Sequence, residues 1–265
     1  MSERIRVGVF GAGGRMGATV CQAVAEDPAL ELVAAVDPHH SGLDLRAVTR
    51  IDGLDLTIES SPEELVRVGA QVAVDFTRIE AAMENLTFLA EHGIHGVAGT
   101  SGFSDEHVAD LETRFTTSNC VVVPNFAIGA VLMMRFAELA APFFETAEVI
   151  ELHHDQKIDA PSGTAMSTVA RMASASGEWA DDPTSHEVVP GARGGEGAPG
   201  IHVHSVRLRG LVAHQEVLLG TTGQSLSIRH DSYDRTSFMP GVVLAVKRIA
   251  DHPGVTVGLD SLLGL

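Results

Sequence analysis

The sequence is poor in cysteine and in positive charge. It has 2 cysteines in 265 residues, and its 18 lysines and arginines face 35 aspartates and glutamates, which gives a formal net charge of −17. Cys21 and Cys120 lie in apolar runs, which is typical of buried, reduced thiols rather than of a disulfide. The negative charge argues against nucleic acid or an anionic membrane as a partner, because binding them requires cations that displace phosphate counterions.

Long uninterrupted hydrophobic runs are also missing. The most apolar stretch, residues 125–144, contains Arg135, Glu138 and Pro142, so it predicts a buried helix and not a membrane span. The first apolar run stops at Gly11, which is too short for the core of a signal peptide. We therefore expect a cytoplasmic globular protein, and its length suits two domains.

A glycine-rich loop follows the first predicted strand, Ile5–Phe10. It comprises Gly11, Ala12, Gly13, Gly14, Arg15, Met16 and Gly17, and a helical pattern follows it. Glycine allows positive φ and lets backbone N–H groups approach a pyrophosphate at the positive end of a helix. Glycine-rich turns after strands are common, so the motif alone is weak. The strand, loop and helix together predict a dinucleotide site.

An acidic residue ends the second predicted strand. Leu30–Val36 is followed by Asp37, at about the distance where a carboxylate accepts hydrogen bonds from the adenosine ribose hydroxyls. A cap of the turn before Pro38 is an equally good interpretation of Asp37 alone. Its pairing with the glycine loop favours the ribose role.

Strands and helices alternate through the first half of the chain. We predict strands at residues 54–59, 71–76, 95–98 and 120–123 and helices at 62–68, 81–92 and 105–115. This alternation indicates an α/β, Rossmann-type, doubly wound parallel sheet, with ligands beyond the carboxyl ends of its strands. Residues at those ends are therefore predicted to bind the dinucleotide: Phe76, Thr77, Gly99, Thr100, Ser101, Pro124, Asn125 and Phe126.

The pattern changes after Asn125. A helix is predicted at residues 127–143, a strand at 147–154, a helix from Thr164, a mobile Gly/Pro-rich loop at 177–200, and strands at 201–208, 211–219 and 224–230. We expect a second α+β domain over residues 127–236, built on a mixed or antiparallel open sheet. Residues 237–265, with helical spacing at 237–251, are expected to complete the dinucleotide-binding domain of residues 1–126.

Proton carriers, a cation and backbone donors fall within residues 151–164. His153 and His154 precede Lys157, which supplies a point charge, and Ser162, Gly163 and Thr164 offer N–H groups at a helix start. Each fragment also has an ordinary structural interpretation, as a packed histidine pair and a good helix start. Together with a dinucleotide loop, they favour a site for a small substrate that carries carboxylates.

The sequence gives little support for a metal site. His202 and His204 lie two residues apart on a predicted strand and hence on one face. No third ligand has convincing spacing, and the sequence contains no His-Glu-x-x-His or paired-cysteine motif. We expect no metal.

Taken together, the motifs resemble the 4-hydroxy-tetrahydrodipicolinate reductases, formerly called dihydrodipicolinate reductases. The resemblance runs nearly end to end, and its specific part is His-His-x-x-Lys followed by Asp-Ala-Pro-Ser-Gly-Thr at residues 153–164. Its other matching segments are residues 11–17, 75–77, 99–102, 125–126 and 230–238.

The resemblance implies an NADH- or NADPH-dependent enzyme of lysine and diaminopimelate biosynthesis. It would reduce a cyclic hydroxylated dicarboxylate with loss of water. His153 and Lys157 would take the acid–base roles, His154 would help bind the substrate, and Gly163 and Thr164 would hold a substrate carboxylate. Which of His153 and Lys157 gives the proton stays open. The resemblance also implies a homotetramer joined through the sheet of the second domain.

One departure concerns the cofactor. Some members place a basic residue directly after the acid at the second strand, where this chain has Asp37-Pro38-His39. Because Asp37 should repel a 2′-phosphate, we expect NADH to serve at least as well as NADPH, with His39, His40 or Arg15 allowing both.

Two alternatives share the first domain. One is another two-domain dehydrogenase that acts on an amino acid or a sugar, and residues 151–164 argue against it. The other is a nicotinamide-binding regulator without catalysis, and the presence of both His153 and Lys157 argues against that. Asp155 and Gln156 stand where other members carry basic residues, which leaves open how much positive charge the substrate meets.

Overall fold

The computed structural model describes residues 4–50 and 54–265. They divide into two units, each with its own sheet. The first unit comprises the described residues as far as Phe126 together with Phe238–Leu265, and the second is Ala127–Ser237.

Strands and helices alternate through most of the described chain. The strands are β1 Ile5–Phe10, β2 Leu30–Val36, β3 Ile58–Glu59, β4 Val72–Asp75, β5 His95–Ala98, β6 Cys120–Val122, β7 Thr146–His153, β8 Gly195–Ala198, β9 Ile201–Arg207, β10 Ala213–Thr221, β11 Gln224–Ser232 and β12 Val255–Val257. The helices are α1 Arg15–Glu26, α2 Arg46–Thr49, α3 Glu63–Arg67, α4 Ile79–Glu91, α5 Asp105–Arg114, α6 Ile128–Ala140, α7 Gly163–Ala175, α8 Met239–Arg248 and α9 Asp260–Leu263.

The first unit contains a parallel sheet in the order β12-β6-β5-β4-β1-β2-β3. All of its strand pairings are parallel. Its central strands are fully buried at Val7, Val9, Val74 and Val97, as expected where helices cover both faces. The strand order reverses between β1 and β4, so their carboxyl ends border the crevice in which such sheets bind ligands. This confirms the Rossmann-type prediction.

Helix α1 follows the glycine loop because its apolar residues recur on one side. Val20, Cys21 and Val24 are fully buried, and this spacing gives a helix an apolar stripe that packs on a sheet. Cys21 and Cys120 are both free and buried, as predicted. Burial raises the pKa of the Cys21 thiol to about 12, so the thiol stays protonated at neutral pH.

The second unit contains a mixed sheet in the order β11-β10-β7-β9-β8. Strands β7 and β9 are parallel, and the other pairings are antiparallel. On the face that α7 covers, Val149, Val203 and Val217 stand side by side and are buried. The prediction of a mixed sheet is confirmed.

Several element predictions were wrong in part. The loop predicted at residues 177–200 ends in β8, a Gly-rich edge strand without the β-branched residues that mark strands. Strand β3 covers only Ile58–Glu59 of the strand predicted at residues 54–59. The helix predicted at residues 237–251 is α8 between two 3₁₀ turns, and β12 was missed.

Within the described ranges, no helix has the length and apolar character needed to cross a membrane.

Candidate active site

Glycine shapes the loop between β1 and α1. Gly11 has φ of +68°, a conformation that side chains disfavour, and the Gly14 N–H donates to the Gly11 carbonyl at 2.9 Å. A Cβ added to Gly17 would lie 2.0 Å from the same carbonyl oxygen. Only glycine at position 17 therefore lets α1 start this close to the loop.

The start of α1 suits an anion. The helix begins at Arg15, and Gly14 before it has no side chain with which to cap the first turn. First-turn N–H groups lack partners within a helix and lie at its positive end. The loop therefore presents the donors that a diphosphate requires.

Asp37 faces the glycine loop at the end of β2. The Gly13 N–H donates to its Oδ2 at 3.0 Å, and the His39 N–H donates to its Oδ1 at 3.0 Å. The carboxylate is largely buried, and the His40 Nδ1 lies 3.1 Å from its Oδ2. Asp37 thus caps the turn and also supports the loop. Each carboxylate oxygen keeps a further lone pair, and the ribose role stays a prediction.

Asp75 ends β4, directly before Phe76 and Thr77 of the predicted dinucleotide site. It is fully buried, and its Oδ1 accepts from the Thr77 N–H at 2.8 Å, the Thr77 hydroxyl at 2.7 Å and the Thr100 hydroxyl at 2.9 Å. Its Oδ2 accepts from Asn85 at 2.7 Å. The carboxylate therefore fixes the loops after β4 and β5 against each other.

Two aromatic rings complete this edge of the sheet. The ring centroids of Phe76 and Phe126 are 5.5 Å apart, and a Cβ on Gly99 would lie 2.2 Å from the Phe76 ring. The structure thus brings together Phe76, Thr77, Gly99, Thr100 and Phe126 in the first unit. Ser101, Pro124 and Asn125 lie beside them in the chain.

In the second unit, His153 ends β7 beside two charged residues that the sequence did not single out. Its Nδ1 is hydrogen-bonded to the Glu151 carboxylate, which is fully buried. Arg207 ends the neighbouring strand β9, and its Nη1 and Nη2 donate to Glu151 Oε2 at 2.9 Å and Oε1 at 2.8 Å. The i, i+2 spacing of Glu151 and His153 on a strand could have predicted their contact, because such residues share a face.

The electrostatics of this cluster favour a carboxylate beside a neutral imidazole. Burial would raise the pKa of Glu151, but hydrogen bonds from Arg207, Ser205 and His153 outweigh it and hold that pKa below its usual value. Burial lowers the pKa of His153, and this outweighs the hydrogen bond from Glu151, which raises it. The charges of Lys157 and Arg207 also lower it. His153 is therefore mainly neutral at pH 7 in the unliganded protein.

Lys157 lies in the turn that follows. Its Nζ donates to both carboxylate oxygens of Asp159 at 2.8 Å, and its backbone N–H donates to the His154 carbonyl at 3.2 Å. The hydrogen bond from Lys157 holds the pKa of Asp159 below its usual value. The Lys157 side chain is 20% exposed and His154 is exposed, so both are accessible to a ligand.

Helix α7 starts at Gly163, one residue before the predicted start at Thr164. The Ser162 hydroxyl accepts from the Ala165 N–H at 3.2 Å and so serves as the cap of the helix. Gly163 and Thr164 form the first turn, where N–H groups point out of the helix. A Cβ on Gly163 would meet nothing within 4 Å. The Ser162 hydroxyl accepts the bond from Ala165 with its oxygen and keeps its O–H to donate. The carboxylate-binding role predicted for Ser162, Gly163 and Thr164 stays a prediction.

The histidines of β9 contact carboxylates. The His204 Nε2 lies 2.6 Å from Glu148, and the His202 Nε2 lies 3.6 Å from Asp182. Within residues 4–50 and 54–265, no three His, Cys, Asp or Glu side chains are placed to hold a metal ion.

Both units match models of one protein family. Residues 5–126 match the model described as dihydrodipicolinate reductase, N-terminus, and residues 129–263 match the one described as dihydrodipicolinate reductase, C-terminus. A 4-hydroxy-tetrahydrodipicolinate reductase of Cutibacterium acnes is 51% identical over 269 residues, covering 98% of this chain and 99% of the relative. One of Nocardia farcinica is 50% identical over 268 residues, covering 98% and 99%.

Solved structures agree with this similarity. A dipicolinate-bound dihydrodipicolinate reductase from Paenisporosarcina sp. TG-14 superposes with a TM-score of 0.85 at 38% identity, covering 97% of this chain and 99% of that one. An amine dehydrogenase from Mycobacterium smegmatis superposes with a TM-score of 0.67 at 15% identity, covering 95% and 94%. The second match shows a shared fold alone.

Proposed function

The chain belongs to the dihydrodipicolinate reductase family, and on that premise we propose how its residues perform the family's reaction. The chain is an NAD(P)H-dependent oxidoreductase that reduces (2S,4S)-4-hydroxy-2,3,4,5-tetrahydrodipicolinate to 2,3,4,5-tetrahydrodipicolinate with loss of water. This is a step of lysine and diaminopimelate biosynthesis. The observation that carries the assignment is the cluster of His153, Lys157 and the α7 start in the second unit.

The first unit fits a nicotinamide dinucleotide. Gly17 and Gly99 stand where any Cβ would collide, and the first turn of α1 offers uncapped N–H groups. Such a cofactor supplies a hydride when bound. The residues proposed to hold it are Gly11, Ala12, Gly13, Gly14, Arg15, Met16, Asp37, Phe76, Thr77, Gly99, Thr100, Ser101, Pro124, Asn125 and Phe126.

The residues of the second unit bind the substrate and move a proton. The Lys157 ammonium and the N–H groups of Gly163 and Thr164 offset the negative charge of the substrate carboxylates. Lys157 would exchange Asp159 for a substrate carboxylate. His154 and Ser162 lie in the same segment, and we propose that they also contact the substrate. Reduction of a conjugated imine leaves negative charge that needs a proton, and histidine titrates in the useful range. We assign that acid–base work to His153 and Lys157.

We infer that NADH serves at least as well as NADPH. The Asp37 carboxylate is held by Gly13 and His39. In the proposed position beside the adenosine ribose, its charge would repel a 2′-phosphate. His39, His40 and Arg15 are the nearby groups that would offset this repulsion. We further propose that the protein is a cytoplasmic homotetramer joined through the sheet of the second unit.

The direct test is the loss of nicotinamide absorbance with substrate that the upstream synthase generates in place, run in parallel with NADH and NADPH. Consumption that depends on the synthase product supports the proposal, and the ratio of the two rates tests the role of Asp37. Folded, nucleotide-binding protein that consumes neither cofactor would instead favour a regulator or a dehydrogenase with another substrate.

A further inference from the structure

The Glu151–Arg207 pair has no part in the acid–base assignment made above, although it touches His153. We propose that Glu151 and Arg207 are positioning residues, which hold the His153 imidazole in a single tautomer and leave Nε2 as its proton-exchanging nitrogen. The proposal rests on the proposed function only in so far as that function gives His153 an acid–base role.

The tautomer follows from the chemistry of the contact. An ionised carboxylate accepts hydrogen bonds and has no proton to donate. The Glu151 carboxylate accepts from both ends of the Arg207 guanidinium, so it stays ionised in its buried position. Its contact with His153 Nδ1 therefore requires a proton on that nitrogen. The remaining ring nitrogen, Nε2, is the one that can accept or release a proton.

Arg207 also ties this pair to the turn that carries Lys157. Besides its two bonds to Glu151, its Nη2 donates to the backbone carbonyl of Asp159 at 2.6 Å, and its Nη1 donates to the carbonyl of Val206 at 2.8 Å. Asp159 in turn holds Lys157. One guanidinium thus fixes the His153 ring and the turn of residues 157–159 relative to each other.

A second glutamate of β7 contacts a histidine and an arginine in the same way. Glu148, on the opposite face of β7, accepts from Arg193 at 2.5 Å and contacts His204 at 2.6 Å. It therefore makes the same pairings with a different histidine and arginine. Glu148→Gln is the matched control, because it removes an equivalent charge from the same strand without touching His153.

The tautomer is measured first, by nitrogen NMR of protein labelled with ¹⁵N-histidine, with the His153 signal identified from its loss in His153→Gln. We expect wild-type His153 to be the Nδ1–H tautomer above its pKa. We expect Glu151→Gln to give a mixture of tautomers, while Glu148→Gln leaves the His153 signal unchanged. Wild-type His153 found as the Nε2–H tautomer would overturn the proposal, even if Glu151→Gln does not fold.

Turnover is measured next. The charged groups that act on His153 are Glu151 on β7, Lys157 in the following turn and Arg207 on β9. Because Glu151 raises the pKa of His153, its removal lowers that pKa. We expect Glu151→Gln to lower kcat by about 10²-fold, the lower end for general acid–base catalysis, with little change in KM. The limb of the kcat profile that His153 sets should also move to lower pH.

Arg207→Lys changes the other member of the Glu151–Arg207 pair. It keeps a cation for Glu151 but loses the planar fork, so we expect the Nδ1–H tautomer to persist with a smaller loss of kcat than in Glu151→Gln. An equal loss in Glu151→Gln and Glu148→Gln with an unmoved pH profile would overturn the proposal. A wild-type protein inactive with the synthase product would refute the proposed function instead, since the tautomer measurement does not depend on turnover.

Discussion

At the scale of single residues, lysine is used sparingly, since the chain contains only Lys157 and Lys247. Lys157 is held by Asp159 in the proposed substrate segment, and Lys247 pairs with Asp27 at 2.6 Å in the first unit. We expect Lys157→Ala to lower kcat by about 10²-fold or more, as for loss of an acid–base group, while NADH affinity stays unchanged. Steady-state kinetics with the synthase product and a nucleotide-binding titration measure both quantities.

The control for this prediction is Lys247→Ala. It removes the other lysine and an ion pair, so any general effect of losing a cation appears in it too. Near-normal turnover of Lys157→Ala would show that Lys157 has a structural role only.

The next prediction concerns Asp37 and the choice between NADH and NADPH. We expect Asp37→Asn to raise the ratio of kcat/KM for NADPH to that for NADH by about tenfold, because two like charges 4 Å apart repel by about 1–4 kcal/mol between water and a protein surface. Asn can still accept the hydrogen bond from Gly13. Asp44→Asn, at an exposed aspartate paired with Arg46, is the control. An unchanged ratio would mean that Asp37 does not face the 2′ position.

The sequence predicts the glycines, His153 and Lys157 because each stands in a local motif. It does not predict the residues that hold them. Arg207 is 56 residues from Glu151, and Thr100 is 25 residues from Asp75. These contacts depend on the order and register of strands in a sheet, which local spacing does not encode. The candidate site was thus predictable in its chemical groups but not in its supporting contacts.

At the scale of elements, apolar runs predicted most of the parallel strands because burial on both faces makes them nearly continuous. The strand predicted at residues 95–98 is observed as His95–Ala98. Edge strands are less marked: β8 reads Gly-Glu-Gly-Ala, and β12 is three residues long. They form because neighbouring strands offer unpaired backbone groups, a tertiary effect that their own sequences do not reveal.

The close approach of α1 to the glycine loop gives an element-scale prediction. We expect Gly17→Ala to lower the free energy of unfolding by about 1–3 kcal/mol, the usual effect of overpacking, since its Cβ would lie 2.0 Å from the Gly11 carbonyl oxygen. It should also weaken NADH binding, because the loop must move. Denaturant unfolding and a binding titration measure the two effects.

Gly177→Ala serves as the matched control, because a Cβ there would meet nothing within 4 Å. We expect it to be neutral or to stabilise by up to about 1 kcal/mol. If Gly17→Ala behaved in the same way, the close contact between α1 and the loop would be wrong.

At the scale of the whole molecule, the sheet of the second unit has two unlike faces. Val149 and Val217 lie on the face that is buried, whereas the opposite face carries the half-buried Ile150, Leu152 and Leu218 among charged residues. Apolar side chains that stay partly exposed on a sheet face of one chain are suited to pairing with a second copy. This is the physical support for assembly through the sheet.

The assembly prediction is that sedimentation gives four times the mass of one chain, and that Leu218→Arg gives a smaller species. Leu218 pairs with Glu148 in the neighbouring strand, so an arginine is tolerated in the isolated chain but places a charge in any interface on this face. Val66→Arg, at an exposed position of α3 in the first unit, should leave the mass unchanged. Circular dichroism of each variant shows whether it is folded. A folded Leu218→Arg protein that kept the fourfold mass would place the interface elsewhere.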